Sequence, residues 1–365
     1  MEEEIITHFD PNGPGIKGNL FGLPYTPEEA SLVIVPVPWE VTVSYHSGTS
    51  KGPRAVIDAS FQVDLCLKNI PDAWKLGVSM LPVPDLEEAN TQLRTLALKQ
   101  IERTESGNKT GQHEPMLEKI NEACEQLHSH IKSITQQLME KGKLVGLLGG
   151  DHSTPLGFLH ALSERHERFG ILQIDAHADL RKAYEGFTYS HASIMHNALK
   201  LPAVSRLVQV GIRDYCEEEV GVMTRSMGRI KTFFDQDLKE QMFAGQTWNS
   251  ITDTIIHELP DLVYISFDVD GLDPKLCPNT GTPVPGGLEF DQAIHLIRKI
   301  ATSGRQIIGF DLSEITPGVI DWDANVGARL LYQLCCWMGV SQGKLATEKN
   351  SLADATPADL PGMPV

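Results

Sequence analysis

Gly170-Ile-Leu-Gln-Ile-Asp175-Ala-His177-Ala-Asp179-Leu-Arg181 is the stretch on which the fold reading turns. Its first five residues, Gly170 to Ile174, read as a buried strand. Asp175, His177 and Asp179 then follow at alternate positions. Side chains alternate along extended backbone, so all three converge on one face if that geometry continues past Ile174. Carboxylates crowded in this way repel one another, and a divalent cation removes the cost. Outward from this stretch, similar short apolar runs recur at Leu32 to Pro36, Leu144 to Leu148, Leu207 to Gly211, Leu262 to Phe267 and Gln306 to Phe310. Helical patterns lie between them at Met116 to Glu140, Thr154 to Arg168, His191 to Leu199, Phe290 to Ser303 and Asn325 to Met338. Strands alternating with helices predict an α/β fold, a three-layer α/β/α arrangement around a mainly parallel sheet. In such sheets functional residues gather beyond the carboxyl ends of the strands.

Two more strand ends carry ligand-type residues. Asp268 and Asp270 follow Leu262 to Phe267, and Gly149-Gly150-Asp151-His152-Ser153 turns the chain out of the run at 144–148. His152, Asp175, His177, Asp179, Asp268 and Asp270 together give four carboxylates and two imidazoles. That set is too large for one small cation and suits two that share bridging carboxylates. Oxygen-dominated ligation with some imidazole favours Mn(II), with Ni, Fe, Co or Zn as alternatives. A metal pair also provides a hydroxide nucleophile near neutral pH.

Composition narrows the function classes. The chain of 365 residues carries 31 Lys plus Arg against 48 Asp plus Glu, a formal net charge of −17. This balance predicts no nucleic-acid and no membrane partner, because both are bound by basic surface. It suits a cationic substrate. The acidic start lacks a secretory or transit signal, and no apolar run reaches the ~18 residues of a membrane span. Six scattered cysteines with no C-x-x-C pair read as reduced thiols, which predicts a cytoplasmic protein. No internal repeat is present. The expected organisation is one catalytic domain over residues 1–340, with an N-terminal extension, and a tail over 341–365. A charged insertion near 86–114 reads as a peripheral solvated helix with a flexible end. The segment Ser44 to Pro53 lacks a phosphate-loop pattern; Pro53 opens a helix, and the loop before it borders the pocket.

These motifs together resemble the ureohydrolase family of arginases and agmatinases, over roughly residues 30 to 340. The matching segments are Gly149 to Ser153, Asp175 to Asp179, Ser266 to Pro274 and Phe310 to Pro317. The resemblance implies that His152, Asp175, Asp179 and Asp268 hold one metal. Asp175, His177, Asp268 and Asp270 hold the other, so that Asp175 and Asp268 bridge. It implies that Glu314 pairs with the substrate guanidinium, since a planar cation is well held by a carboxylate accepting paired hydrogen bonds. His191 matches the family's proton-shuttling histidine, with His196 as its competitor one helical turn on, and Asp179 takes a proton in the reaction. The implied function is a metal-dependent hydrolase that cleaves a guanidino C–N bond and releases urea. Its cofactor is two divalent ions, Mn(II) or Ni(II).

The segment Leu180 to Phe187 leading into Tyr189-Ser190-His191 is similar to the agmatinase branch and disfavours arginine. Tyr184, Phe187, Tyr189 and Trp322 are expected to wall the pocket and select a small substrate. The order of candidates is free guanidine, agmatine, then guanidino acids. A formiminoglutamase-like hydrolase using Arg181 or Arg213 for a substrate carboxylate, a two-metal phosphoesterase and a non-catalytic metal-binding relative are the rivals. The resemblance also implies a homo-oligomer, a trimer or hexamer, and allows a metal-insertion chaperone.

Overall fold

The computed structural model describes Ile6 and residues 8–107 and 115–348; the end of the charged segment and most of the expected tail lie outside these. The strands are β1 (Leu32–Val37), β2 (Val78–Met80), β3 (Leu144–Gly149), β4 (Phe169–Ile174), β5 (Val204–Ile212), β6 (Ile230–Phe234), β7 (Leu262–Asp268) and β8 (Gln306–Ser313). They form one sheet in the order β2-β1-β3-β8-β7-β4-β5-β6. Every neighbouring pair runs parallel. The edge strands β2 and β6 go beyond the sequence expectation. β2 is only three residues long, and β6 mixes Lys231 and Thr232 with apolar residues because its outer side is not covered.

The helices are α1 (Gly52–Ser60), α2 (Glu87–Glu105), α3 (Pro115–Glu140), α4 (Leu156–Arg165), α5 (Ile194–Ala198), α6 (Glu217–Arg225), α7 (Asp235–Phe243), α8 (Trp248–His257), α9 (Phe290–Thr302) and α10 (Trp322–Ser341). They cover both faces of the sheet. On β1, Leu32 and Ile34 enter the core beneath α1, α9 and α10, while Val33, Val35 and Val37 enter the core beneath α3 and α4. This alternation is why parallel strands read as continuous apolar runs. Each such fully buried aliphatic side chain stabilises the fold by roughly 1.5–3 kcal/mol. α9 shows the helical equivalent, with Ala293, Leu296, Ile297, Ile300 and Ala301 on one buried stripe. Among the described residues no helix is long and apolar enough to cross a membrane.

The charged segment forms the expected largely solvated helix over 87–105, with one stripe of it packed. α2 buries Leu93, Ala97 and Ile101 against α3, and it sends polar side chains into neighbouring loops. Asn90 Nδ2 donates to the Pro38 carbonyl at 2.6 Å, and Arg94 donates to the carbonyls of Val41 and Val43. Gln100 Nε2 donates to the Glu185 carbonyl at 3.0 Å. Pro53 lies in the first turn of α1, as the sequence predicts.

His128 on α3 gives a pH prediction away from the strand ends. Its ring is buried, and Nε2–H donates to the Ser153 carbonyl at 3.2 Å. Burial pushes its pKa down to about 4 from 6.5. The folded chain therefore keeps it neutral, while the unfolded chain takes up a proton below about pH 6.5. Its contribution is present above pH 6.5 and is lost as the pH falls towards 4, roughly 3 kcal/mol at full extent. Thermal melts between pH 7 and 4 should show a steeper decline in wild type than in His128→Gln.

Candidate metal centre

His152 follows β3, Asp175 follows β4, Asp268 ends β7 and Glu314 follows β8. These four strands are neighbours at the middle of the sheet, so residues far apart in the chain meet above one edge. Two glycines permit the approach. A Cβ on Gly150 would lie 1.9 Å from the Trp39 carbonyl oxygen, and one on Gly271 would lie 2.6 Å from the Asp175 nitrogen.

Among the described residues, two groups have ligand atoms close enough to share an ion: His152 with Asp175 and Asp179, and Asp175 with His177 and Asp270. Asp175 belongs to both. Its Oδ2 lies 3.0 Å from His152 Nδ1, and its Oδ1 lies 3.6 Å from His177 Nδ1. Asp179 Oδ2 and Asp268 Oδ2 stand 3.1 and 3.3 Å from the same His152 nitrogen. Asp270 Oδ2 is 2.9 Å from His177 Nδ1. His152 Nδ1 is buried and, although three carboxylate oxygens surround it, forms no hydrogen bond. Ligand atoms this close together, without hydrogen bonds to one another at His152 Nδ1, fit a bound divalent cation.

The electrostatics point the same way. Burial, with the charge of Asp175 next, pushes the Asp179 carboxyl up to about 7. Burial and the neighbouring carboxylates also raise Asp268 and Glu314 well above the ordinary range. Burial alone would raise Asp175 and lower His152. Their close approach and opposite charge reverse both, holding the Asp175 carboxyl far below its usual range and the imidazole well above. Such a cluster favours positive charge at its centre.

The backbone carries strain here. Asp179 (φ 54°) and Glu314 (φ 67°) are both left-handed, a conformation that costs non-glycine residues about 1–2 kcal/mol. Each is pinned. The Asp179 carbonyl accepts from Met195 and His196 N–H at 3.1 Å, while Glu314 N–H donates to the Gly150 carbonyl at 2.9 Å. The expected extended run from Asp175 to Asp179 is therefore corrected. The strand stops at Ile174, and Asp179 reaches His152 because its backbone turns onto the start of α5.

A cavity of ≈ 150 Å³ adjoins the cluster, lined among others by Ser44, His177, Asp179, Arg181, Tyr184 and His191. Of the expected aromatic wall, Tyr184 takes part, joined by Tyr215. Phe187 is wholly buried in the core instead, the Tyr189 hydroxyl donates to Glu125, and Trp322 is a partly exposed residue whose Nε1 donates to the Lys275 carbonyl. Arg181 stacks over Tyr184 at 5.0 Å. Arg213 is committed to backbone carbonyls of Asp270, Leu272 and Val284, so it is not a substrate contact. His46 stacks on exposed Tyr45 and Thr49 is buried beside Glu40, so Ser44 is the residue of that loop that meets the cavity.

His191 lines the cavity, whereas His196 faces an outer groove with Lys200 and Arg225. Burial and the His177 and His152 imidazoles push the His191 pKa down to about 3, which favours the neutral ring. Glu314 is 5% exposed and does not line the cavity; its Oε1 accepts the His152 N–H at 2.9 Å, which leaves Oε2 for another donor. Behind His152, Nε2 sits 2.8 Å from Ser266 Oγ and 3.7 Å from Asp311. Polar residues inside otherwise apolar strands were the available signal for these supports.

A sequence profile described as the Arginase family matches residues 30–336. The N(1)-aminopropylagmatine ureohydrolase of Thermus thermophilus is 30% identical over 336 residues, covering 91% of this chain and 99% of that protein. Its namesake from Synechocystis is 29% identical, covering 87% of this chain and 92% of that protein. The crystal structure of agmatine ureohydrolase from Thermoplasma volcanium shares the fold at a TM-score of 0.69 and 22% identity, covering 94% of this chain and 99% of that one. With a family match spanning most of its length and strand-end residues in the order described, this chain belongs to the arginase family of metal-dependent ureohydrolases.

Proposed function

We propose that this ureohydrolase acts on a small guanidino compound, free guanidine before agmatine and guanidino acids, with two divalent cations, Mn(II) or Ni(II), as cofactor. The observation that carries the reading is the ≈ 150 Å³ cavity beside the Asp175 cluster, narrowed by Tyr184 and the Arg181 stacked on it. His152, Asp175, Asp179 and Asp268 would hold one cation, and Asp175, His177, Asp268 and Asp270 the other. When bound, the cations neutralise this carboxylate cluster and make a water acidic enough to serve as nucleophile near neutral pH.

The protein's residues orient and move protons. By the family resemblance, Glu314 Oε2 and Asp270 accept hydrogen bonds from the planar guanidinium and fix its carbon for attack, which requires the substrate to reach past the cavity lining to these two carboxylates. Asp179 accepts the proton given up by water. Water oxygen adds to the guanidinium carbon, the tetrahedral adduct then breaks one C–N bond, and the proton taken by Asp179 passes to the departing nitrogen; urea is one product and ammonia, or an amine from a substituted substrate, is the other. His191, held neutral, relays a proton by accepting on one ring nitrogen while giving from the other. Its neighbour Ser190 Oγ lies 3.5 Å from Nδ1.

A second reading rests on Asp214, whose side chain is 67% exposed at the cavity. It could pair with the amine end of an agmatine-type substrate, the class named for the relatives above. A urea-release screen with Mn(II)- and Ni(II)-loaded protein over guanidine, agmatine, aminopropylagmatine and 4-guanidinobutyrate separates them. Guanidine is expected to give the highest kcat/KM. A higher value for an amine-bearing substrate, lost in Asp214→Asn, would overturn that order.

A further inference from the structure

Two glutamines stand within strands whose neighbouring positions are aliphatic: Gln173 on β4 and Gln209 on β5, both 0% exposed. A primary amide sealed from water is costly unless its hydrogen bonds are made. Here they are made in series. The parallel register places Gln173 beside Gln209, and Gln209 beside Thr232 of β6. Thr232 Oγ1 donates to Gln209 Oε1 at 2.7 Å, Gln209 Nε2 donates to Gln173 Oε1 at 2.7 Å, and Gln173 Nε2 donates to Asp175 Oδ2 at 2.8 Å. Every link donates towards the candidate metal centre.

The direction is fixed independently. Gln209 Nε2 also donates to the Ala178 carbonyl at 2.8 Å, and Gln173 Nε2 to the His177 carbonyl at 3.1 Å. A carbonyl only accepts, so neither amide can turn over without setting two oxygens against each other. Donors aligned in series also polarise one another. Asp175 Oδ2 therefore meets an N–H on one side and His152 on the other, while Oδ1 accepts His177 N–H at 2.7 Å.

We propose that Gln173 and Gln209 are positioning residues that hold Asp175 in the orientation that serves both cation clusters, with Gln209 acting only through Gln173. The inference rests on the assignment of Asp175 as the shared ligand. It is tested by Mn(II) dissociation constants from equilibrium dialysis on the full chain, with thermal melts of the metal-free proteins as the folding check. Loss of an outer partner of a metal ligand typically weakens binding about 10- to 100-fold. Gln173→Leu is expected to do so, and Gln209→Leu to weaken binding at least about 3-fold. The double variant should match Gln173→Leu alone, because the outer link is silent once the inner one is gone. If Gln209→Leu does not fold, the volume-matched Gln209→Met carries the same expectation. Mn(II) binding by Gln209→Leu or Gln209→Met equal to wild type, or losses that multiply in the double variant, would overturn the relay. Asp175→Asn in the same assay keeps the two ideas apart. If it too binds like wild type, the ligand assignment falls; if it alone loses Mn(II), the relay falls and the assignment stands.

Discussion

Asp175→Asn should lose both bound metal and urea production. The change keeps the shape and removes one charge, yet the surroundings cannot accept it. Oδ1 receives the His177 N–H and Oδ2 receives Gln173 Nε2. An asparagine carries one NH2 group, and either placement sets it against one of these donors. The side chain would have to turn away, and the two candidate clusters would lose their common member. Breaking a buried charge arrangement from one side costs about 3–5 kcal/mol, equivalent to about 10²- to 10⁴-fold in binding or rate. Metal content by elemental analysis, read beside urea release, checks both. Retained metal with retained turnover would remove Asp175 from the mechanism and the shared-ion reading with it.

Glu314→Gln should separate binding of the organic cation from binding of metal. Glutamine can still accept the His152 N–H, so the backbone that carries His152 keeps its anchor. The lost property is the negative charge opposite a guanidinium. Removing one side of a desolvated, hydrogen-bonded charge pair costs about 2–5 kcal/mol, so kcat/KM is expected to fall by about 30- to 5,000-fold. Metal content should match wild type. A variant that lost metal instead would show that Glu314 serves the His152 loop and not the substrate.

The sheet core and the gathering of candidate ligand residues at strand ends were legible because both depend on local spacing. An apolar run followed by Asp, His or Asp-x-Asp announces where a buried strand meets a polar centre. The edges were not legible for the same reason: Ile230–Phe234 sets Lys231 and Thr232 side by side within an apolar run, and Val78–Met80 is too short to show a pattern. Helices α6 and α7 are strongly polar and pack only a narrow stripe, with Glu219, Asp235 and Leu238 as their buried residues. Long-range polar contacts were the hardest to foresee. Arg94 reaches Val43 across 51 positions, and Asn90 reaches Pro38 across 52, so nothing nearby in sequence marks either partner. Asp179 is the instructive case. Its alternate spacing suggested convergence, and its carboxylate does reach His152, but through a left-handed turn that spacing alone does not encode.

The placement of β8 has a consequence for how the protein is made. Among the described residues β8 is the last strand to leave the ribosome, yet it lies between β3 and β7, with Leu147 and Leu148 against Asp311 and Leu312 on one side and Asp268 against Ser313 on the other. Until residues 306–313 emerge, β3 and β7 cannot be bridged, and His152 and Asp268 sit on separate, open-edged pieces of a nascent chain. Domains acquire structure from the N-terminal end during synthesis, and unpaired edges are where they stick to one another. Assembly of the candidate cluster therefore waits for β8, and a product that stops short of β8 is expected to leave β3 and β7 with unpaired edges.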